Sequence, residues 1–270
     1  MEKIVLNPVY DSIPWPWEHP LKSVQTAVYF SGGECFKQNR YRAVRRMEVH
    51  TRGFFIKQFF RFPLTKHIKN FFCFWNRQSE SALEWDNIER VRSWGIPTLT
   101  QVARGEYFVF GIERGGFLIT EELPAKIRLE NFLKAFPKGE PSLKRRIVKT
   151  LADYTCTLHK QNYFHKDLYL GHCLIELLSP ASFRIFLIDL QRLAHHRWRR
   201  EHFKIKDLAS LHFSIPKGSV SRTDQLRFMK NYLGENKLQP AHKKLIQKLL
   251  KKSLQIERHT IKLLQKKERT

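Results

Sequence analysis

The feature that most constrains the fold is a pair of acidic residues at the edges of apolar runs. The segment His165–His172, which contains Asp167, leads directly into the apolar run Cys173–Ile175. A second apolar run, Phe186–Ile188, ends on Asp189. Short apolar runs are typical of buried strands, and the chain leaves the core where they end. Two carboxylates delivered in this way can bind a metal ion and orient a hydroxyl, the minimum requirements for phosphoryl transfer.

The composition limits the class of protein. The chain has 270 residues, of which 42% are hydrophobic and 13% aromatic, which is enough for one large domain or two lobes with a packed core. The net charge of +24 indicates a polyanionic partner, either nucleic acid or an anionic membrane surface with phosphorylated lipids. The charge alone does not decide between these partners.

The cysteines and the N-terminal segment indicate the compartment. The four cysteines show neither C-x-x-C spacing nor a paired framework, which predicts free thiols in a reducing compartment. No charged start is followed by an apolar core, so we predict no signal peptide. The aromatic cluster Phe71–Trp75 is too short to span a bilayer. A cytosolic protein is therefore expected, with docking on a surface left open.

The first part of the chain reads as short strands after an irregular lead-in over residues 1–26. The predicted strands are Ala27–Phe30, Arg42–Val49 and Phe54–Phe60. Lys57 shares a face of the last strand with Phe55 and Phe59, so its ammonium requires an anionic partner or a route to water. The alternative is an edge-strand lysine that reaches solvent. Residues 61–75 mix basic and aromatic side chains, and core packing is expected for most of these phenylalanines.

A helix is predicted from about residue 76 to residue 94, ended by Gly95 and Pro97. Glu84 lies on its apolar face, at helical spacing from Ile88 and Val91. An inward carboxylate requires a cation, and we expect Lys57 to supply it. The alternative partner is Arg92.

Two further strands, at 105–110 and 117–123, are predicted with a turn at 113–116 between them. The chain then becomes rich in proline and charge up to Pro141. We therefore place an N-terminal lobe at residues 1–123, a C-terminal lobe at 124–238 and a basic helix at 239–270.

The C-terminal half predicts mainly helices. One runs from Ser142, as N-cap, to Gln161, and another includes Lys206–Leu211. A third opens at the capping box Ser221–Asp224 and is closed by Gly234. Residues 240–270 contain ten Lys or Arg against two Glu, with apolar residues at helical spacing. This basic amphipathic helix either docks on a membrane surface or packs on the body of the protein.

Four polar residues occur in a diagnostic order: Lys57 on a strand, Glu84 on a helix, Asp167 in a loop and Asp189 at a strand end. Phosphoryl transfer from ATP uses a lysine on the phosphates, a glutamate that holds it, an aspartate for the attacking hydroxyl and one for Mg²⁺. This order and approximate spacing match a protein-kinase-like fold. The strand ending in Thr120–Leu123 falls where such folds contact adenine.

The chain resembles a narrower group, the bacterial lipopolysaccharide core heptose kinases of the Kdo/heptose kinase group, over about residues 30–235. The segments that carry the resemblance are Ser81–Trp85, Gly95–Thr98, Ile119–Leu123, His165–Tyr169, His172, Leu187–Arg192 and Lys206–Ala209. The resemblance implies an α+β, two-lobed fold with an antiparallel-sheet N-lobe and a mainly helical C-lobe. It also implies ATP and Mg²⁺ as cofactors.

The resemblance also assigns roles to residues. It implies that Asp167 orients and helps to deprotonate the acceptor hydroxyl, and that Lys57, positioned by Glu84, contacts the ATP phosphates. Asp207 corresponds to a buried acid that supports the catalytic loop. The remaining implied contacts are Glu121 and Leu123 with the nucleotide, and Asp189 and His172 with the metal and nucleotide.

The chain departs from protein kinases at several positions. His172 stands where the catalytic loop of protein kinases ends in asparagine, and imidazole binds Mg²⁺ poorly, so His172 can instead contact a phosphate or Asp189. Leu190-Gln191 follows Asp189 in place of Phe-Gly, and no Ala-Pro-Glu follows. A regulated protein kinase is therefore disfavoured. No G-x-G-x-x-G is present, so the phosphate-covering loop is assigned to residues 31–36.

The function predicted from the resemblance is an ATP-dependent kinase that phosphorylates a heptose of the lipopolysaccharide inner core. Its expected partners are the core on lipid A and an anionic membrane surface, with no nucleic acid. Its expected place is the cytoplasm, peripheral on the inner membrane. The alternatives are a Kdo kinase or other small-acceptor kinase of this fold, or a non-catalytic module binding anionic lipid. A zinc site is disfavoured because the spacing matches no ligand pattern; its candidate ligands are His159, His165, Asp167, His172 and Cys173.

Overall fold

The computed structural model describes residues 1–10, 23–49, 51–60, 78–123, 126–136, 140–180 and 182–268, without the side chains of 267 and 268. The chain divides into two compact units. The first consists of Met1–Ser93 and Thr98–Pro124, and the second of Trp94–Pro97 and Ala125–Thr270. The three-part division expected from the sequence stays a prediction.

The first unit is built on a six-stranded antiparallel sheet in the order β1-β5-β6-β4-β3-β2. Its strands are β1 (Glu2–Leu6), β2 (Glu34–Gln38), β3 (Arg42–Val49), β4 (Arg52–Phe59), β5 (Gln101–Val109) and β6 (Ile112–Glu121). On β4, Phe54 and Ile56 point into the core while Lys57 points to the other face, as the two-residue period of a strand requires. The predicted strands at Arg42–Val49 and Phe54–Phe60 are confirmed by β3 and β4.

Two helices belong to this unit, α1 (Val24–Val28) and α2 (Glu80–Ser93). The predicted strand Ala27–Phe30 is wrong, because the chain there is α1, begun by a capping box between Ser23 and Thr26. Four apolar residues are too short a run to separate strand from helix. The prediction that residues 1–26 are irregular is wrong for Glu2–Leu6, which form β1. Residues 11–22 and 61–75 lie outside the described residues.

A two-residue turn, Phe110–Gly111, joins β5 to β6, and both residues have positive φ. The turn predicted at 113–116 is therefore wrong. The glycine pair that suggested it lies inside β6, where a Cβ on Gly116 would come within 2.8 Å of the Gly105 carbonyl and 3.1 Å of the Ser81 hydroxyl. Glycine is required there for close packing rather than for a turn.

The second unit is mainly helical. Its helices are α3 (Leu129–Lys134), α4 (Pro141–Lys160), α5 (Arg200–Phe213), α6 (Arg222–Leu233) and α7 (Pro240–Glu268). Its strands are β7 (Ile127–Arg128), β8 (Tyr163–Phe164), β9 (Cys173–Ser179), β10 (Ser182–Leu187) and β11 (Ala194–His195). They form two small sheets, β10-β9-β7 and β11-β8. The sheet-rich first unit and helical second unit confirm the α+β class.

Helices α4 to α7 share one core. It contains Ala152, Leu208, Ala209, Met229, Tyr232 and Leu249. The capping box of α6 is confirmed, since the Ser221 hydroxyl accepts from the Asp224 amide and Gly234 ends the helix with a φ of 69°. The N-cap predicted for α4 is wrong by two residues, because Pro141 occupies the first helical turn, a position that favours proline.

Helix α7 presents two faces. Leu249 and Ser253 are buried, and the Ser253 hydroxyl lies 2.9 Å from Nδ1 of His212 on α5. Leu254, Ile261 and Leu264 are about half-exposed and lie among lysines that face solvent. The prediction that this helix packs on the body of the protein is therefore confirmed only for the face that carries Leu249 and Ser253. Within the described residues, every helix is too short or too polar to cross a bilayer.

Candidate active site

In the first unit, Lys57 and Glu84 form a buried ion pair. The Lys57 ammonium lies 2.8 Å from each carboxylate oxygen of Glu84. The Glu84 side chain is 2% exposed and that of Lys57 17%. Strand β4, between β3 and β6, fixes the lysine, and the apolar face of α2 carries the glutamate. The predicted pairing is confirmed, whereas the alternative partner Arg92 donates to the Leu99 carbonyl.

At the end of β6, the acidic side chains are engaged within the same unit. Tyr10 has a raised pKa because of its burial and, secondarily, its hydrogen bond with Glu121. Glu122 accepts hydrogen bonds from Arg46 Nε at 2.9 and 3.0 Å. The next residue, Leu123, is half-buried. The amide of Glu121 donates to the Thr100 carbonyl at 2.9 Å, and the roles predicted for Glu121 and Leu123 stay predictions.

In the second unit, Asp207 fixes the start of the candidate catalytic loop. Its carboxylate is fully buried and accepts the amide N–H groups of His165 and Lys166, each at 2.8 Å. Its Oδ2 also lies 3.3 Å from Nε2 of His159, whose Nδ1 is 2.8 Å from the Tyr232 hydroxyl. These bonds hold Lys166 at a φ of 66°, which is unfavourable for a residue with a side chain. The loop therefore depends on a buried acid, as the resemblance implies for Asp207.

His165 and His172 link that loop to the strand that follows it. The ring of His165 is buried, which lowers its pKa, and its Nε2 lies 3.1 Å from the Ile188 carbonyl. Nδ1 of His172 lies 2.8 Å from the Asp167 carbonyl, and its Nε2 lies 3.7 Å from the Asp189 carboxylate. The Asp167 carbonyl can only accept, so Nδ1 is the donor in that contact, while Nε2 lies too far from Asp189 for a hydrogen bond.

The two predicted carboxylates are brought to one region of the second unit by these contacts. The Ile188 amide donates to the His172 carbonyl at 2.9 Å. The following residue, Asp189, has a φ of 58°, so the chain turns sharply out of β10. The prediction that each acid lies at the edge of a strand is confirmed: β8 and β9 flank the loop that carries Asp167, and β10 ends two residues before Asp189.

Arg192 and Lys206 contact Asp167 and were not assigned a role from the sequence. Nη1 of Arg192 lies 2.9 and 2.7 Å from the two carboxylate oxygens of Asp167. Nζ of Lys206 lies 3.8 Å from Oδ1 and donates to the Lys166 carbonyl. Both residues stand in the segments that carry the resemblance, but only the short 3₁₀ helix 190–192 and α5 turn them toward Asp167.

The five candidate zinc ligands all lie in the second unit. Among the residues that the structure describes, no group of three or more His, Cys, Asp or Glu side chains is arranged to hold a metal ion. His159 is engaged with Asp207 and Tyr232. Cys173 is buried, and burial raises the pKa of its thiol to about 12.

Comparison with known proteins identifies the family. A family model described as the lipopolysaccharide kinase (Kdo/WaaP) family matches residues 28–232. The lipopolysaccharide core heptose(I) kinase WaaP of Pseudomonas aeruginosa is 30% identical over 223 residues, covering 81% of this chain and 82% of the relative. The protein of the same name from Escherichia coli is 29% identical over 223 residues, with 81% and 83% covered.

A solved structure supports the same assignment. It is described as WaaP in complex with acyl carrier protein, is 27% identical and covers 97% of this chain and 99% of its own, with a TM-score of 0.70. The predicted kinase-like fold and the predicted resemblance are thereby confirmed. The chain belongs to the lipopolysaccharide kinase (Kdo/WaaP) family.

Proposed function

We propose that this chain transfers the γ-phosphoryl group of ATP to a hydroxyl of a heptose in the lipopolysaccharide inner core. The observation that carries the proposal is Asp167, presented on a loop that the buried Asp207 fixes, in a member of a lipopolysaccharide kinase family. The acceptor follows from the relatives, which are named as heptose(I) kinases and match most of the chain.

The side chains supply the groups that this transfer requires. Asp167 accepts the proton of the heptose hydroxyl as its oxygen forms a bond to the γ-phosphorus, while the bond to the bridging oxygen breaks and ADP leaves. Lys57 neutralises charge on the ATP phosphates, and Glu84 fixes the lysine side chain at 2.8 Å. An ammonium held in this way loses little side-chain freedom when the nucleotide binds.

ATP and Mg²⁺ are the cofactors we infer. In kinases, Mg²⁺ is usually held by one or two carboxylates, by substrate phosphates and by water. Asp189 offers such a carboxylate, so the residues fit an ion held mainly by phosphate and water. When bound, the ion would neutralise negative charge on the ATP phosphates. Because a nitrogen ligand suits Mg²⁺ poorly, we assign His172 to holding the catalytic loop, through the 2.8 Å contact of its Nδ1 with the Asp167 carbonyl.

The experiment that tests the function is transfer of phosphate from ATP to dephosphorylated core oligosaccharide, with Mg²⁺ present, followed by mass spectrometry of the sugar. We expect one phosphate on a heptose and loss of transfer when Mg²⁺ is chelated. Phosphate on Kdo instead would establish the alternative acceptor. The absence of phosphate on any sugar with native protein would contradict the proposal and favour a non-catalytic lipid-binding module.

We also infer peripheral attachment to the cytoplasmic face of the inner membrane, through α7. The exposed Leu254, Ile261 and Leu264 lie among exposed lysines of the same helix. An apolar stripe flanked by lysines is the composition of helices that lie in the headgroup region of anionic bilayers. The net charge of +24 favours the same surface.

Acyl carrier protein is a second candidate partner, because the solved WaaP structure contains it. A cavity in the second unit favours this inference. Its walls are mainly apolar and include Leu133, Val148, Leu208, Leu211 and Leu249. The lining matches an acyl chain in polarity.

Both partners can be tested by binding measurements. The protein should float with phosphatidylglycerol vesicles but not with phosphatidylcholine vesicles, and Lys248→Glu/Lys251→Glu/Lys262→Glu on α7 should lose flotation. The matched control makes the same charge change at Lys149, Lys217 and Lys230, exposed lysines outside α7. Equal loss in both variants would contradict docking through α7.

Gel filtration tests the second partner. Acyl carrier protein that carries an acyl group should co-elute with this protein, and separate elution would contradict that partner.

A further inference from the structure

The carboxylate of Asp167 is surrounded by positive charge. Arg192 contacts both of its oxygens, at 2.9 and 2.7 Å, and Lys206 lies 3.8 Å from one of them. An acceptor hydroxyl that approaches Asp167 must therefore share the carboxylate with Arg192 or displace it. Arg192 has a side chain that is 58% exposed, so it can leave without disrupting the core.

Stability does not explain this arrangement. Ion pairs with so exposed a partner contribute about 0–1 kcal/mol. Lys206 is more enclosed, with 25% of its side chain exposed, and burial lowers its pKa. Burial also lowers the pKa of Lys166, and repulsion from Arg192 and Lys206 adds to that shift. The three cations outnumber the two nearest carboxylates, Asp167 and Asp207, so an additional anion would be favoured here.

Of these three cations, Arg192 and Lys206 lie beside the Asp167 carboxylate. The Lys166 ammonium lies 5.8 Å from the centre of the Phe203 ring, as a cation–π contact. The Lys206 ammonium, in contrast, lies beside the Asp167 carboxylate, with which Arg192 forms an ion pair. The guanidinium plane can form two parallel hydrogen bonds to phosphate oxygens as readily as to a carboxylate.

Building on the proposed function, we propose that Arg192 and Lys206 form an anion subsite for the phosphoryl group during its transfer. In the absence of substrate, the Arg192 guanidinium pairs with the Asp167 carboxylate. When the acceptor hydroxyl binds Asp167, the guanidinium transfers to the oxygens of the phosphoryl group. The transition state of phosphoryl transfer spreads negative charge over three oxygens, and a neighbouring arginine can accelerate such reactions about 10³-fold or more.

Arg192→Ala should lower kcat for core phosphorylation by about 10²-fold or more, with KM for ATP within about threefold, because the contact forms during transfer. Arg192→Lys should recover only part of the activity, since an ammonium lacks the planar fork. Arg200→Ala is the matched control. Arg200 is an exposed arginine on the first turn of α5, the helix that carries Lys206, and the variant should retain wild-type kcat.

A binding measurement separates this role from one limited to holding the loop. Calorimetry would compare binding of ADP with Mg²⁺ alone and with aluminium fluoride, which mimics the transferring phosphoryl group. The wild type should gain at least tenfold in affinity from aluminium fluoride, and Arg192→Ala should lose that gain while binding ADP normally. Retention of the gain in Arg192→Ala, or its absence in the wild type, would overturn the subsite. A wild type that shows the gain but fails to phosphorylate heptose would overturn the proposed acceptor alone.

Discussion

Asp167→Asn is expected to lower kcat for core phosphorylation by about 10³-fold, within the range of general-base contributions. An amide oxygen still accepts a hydrogen bond from Arg192, so the loop geometry is kept, but the side chain can no longer take a proton. The loss should therefore appear in kcat, while KM for ATP stays near its wild-type value. Initial rates at saturating ATP and varied acceptor would measure it.

The folded state should tolerate this substitution. Asp167 is partly exposed and its partner Arg192 more so, which limits the cost in free energy of unfolding to about 1 kcal/mol. Asp153→Asn is the matched control, because Asp153 is exposed and pairs with Lys149 at 2.7 Å in α4. It should retain wild-type kcat. Activity of Asp167→Asn above a tenth of wild type would exclude Asp167 as the base.

The parts of the site that sequence could predict are those with a local signature. Asp167 and Asp189 were found because apolar runs flank them, and Glu84 because its helical spacing placed it on an apolar face. An inward carboxylate and a lysine on an apolar strand each require a partner, so their pairing followed from electrostatics. The structure places Lys57 and Glu84 2.8 Å apart.

The roles of Arg192 and Lys206 could not be predicted in this way. Arg192 is one exposed arginine among many in a basic chain, and no local sequence pattern distinguishes it. Its contact with Asp167, 25 positions earlier, exists only because the chain turns out of β10 and enters a 3₁₀ helix. The fold errors have a related cause. A short apolar run is compatible with a helix or a strand, and a glycine pair is compatible with a turn or a strand. Tertiary packing decides between these conformations, and here it stabilises α1 and a strand, β6, that contains Gly115 and Gly116.

Lys57→Met is expected to cost about 3–5 kcal/mol in free energy of unfolding, because it leaves the 2%-exposed Glu84 carboxylate without its cation. Glu84→Leu alone should cost less, since the more exposed Lys57 can extend its ammonium toward water. The double variant Lys57→Met/Glu84→Leu should return to within about 1 kcal/mol of wild type, because an apolar pair of similar size replaces a buried ion pair well. Urea unfolding of all four proteins would give the coupling energy.

Activity should not follow stability in this set. If Lys57 binds the ATP phosphates, the double variant should fold as well as wild type and still lose at least about 10²-fold in kcat/KM for ATP. Lys149→Met, at an exposed lysine, is the control and should change the free energy of unfolding by less than about 0.5 kcal/mol. A double variant that recovers activity together with stability would show that the ion pair holds the fold rather than the nucleotide. A Lys57→Met protein as stable as wild type would show that the pair is not buried in solution.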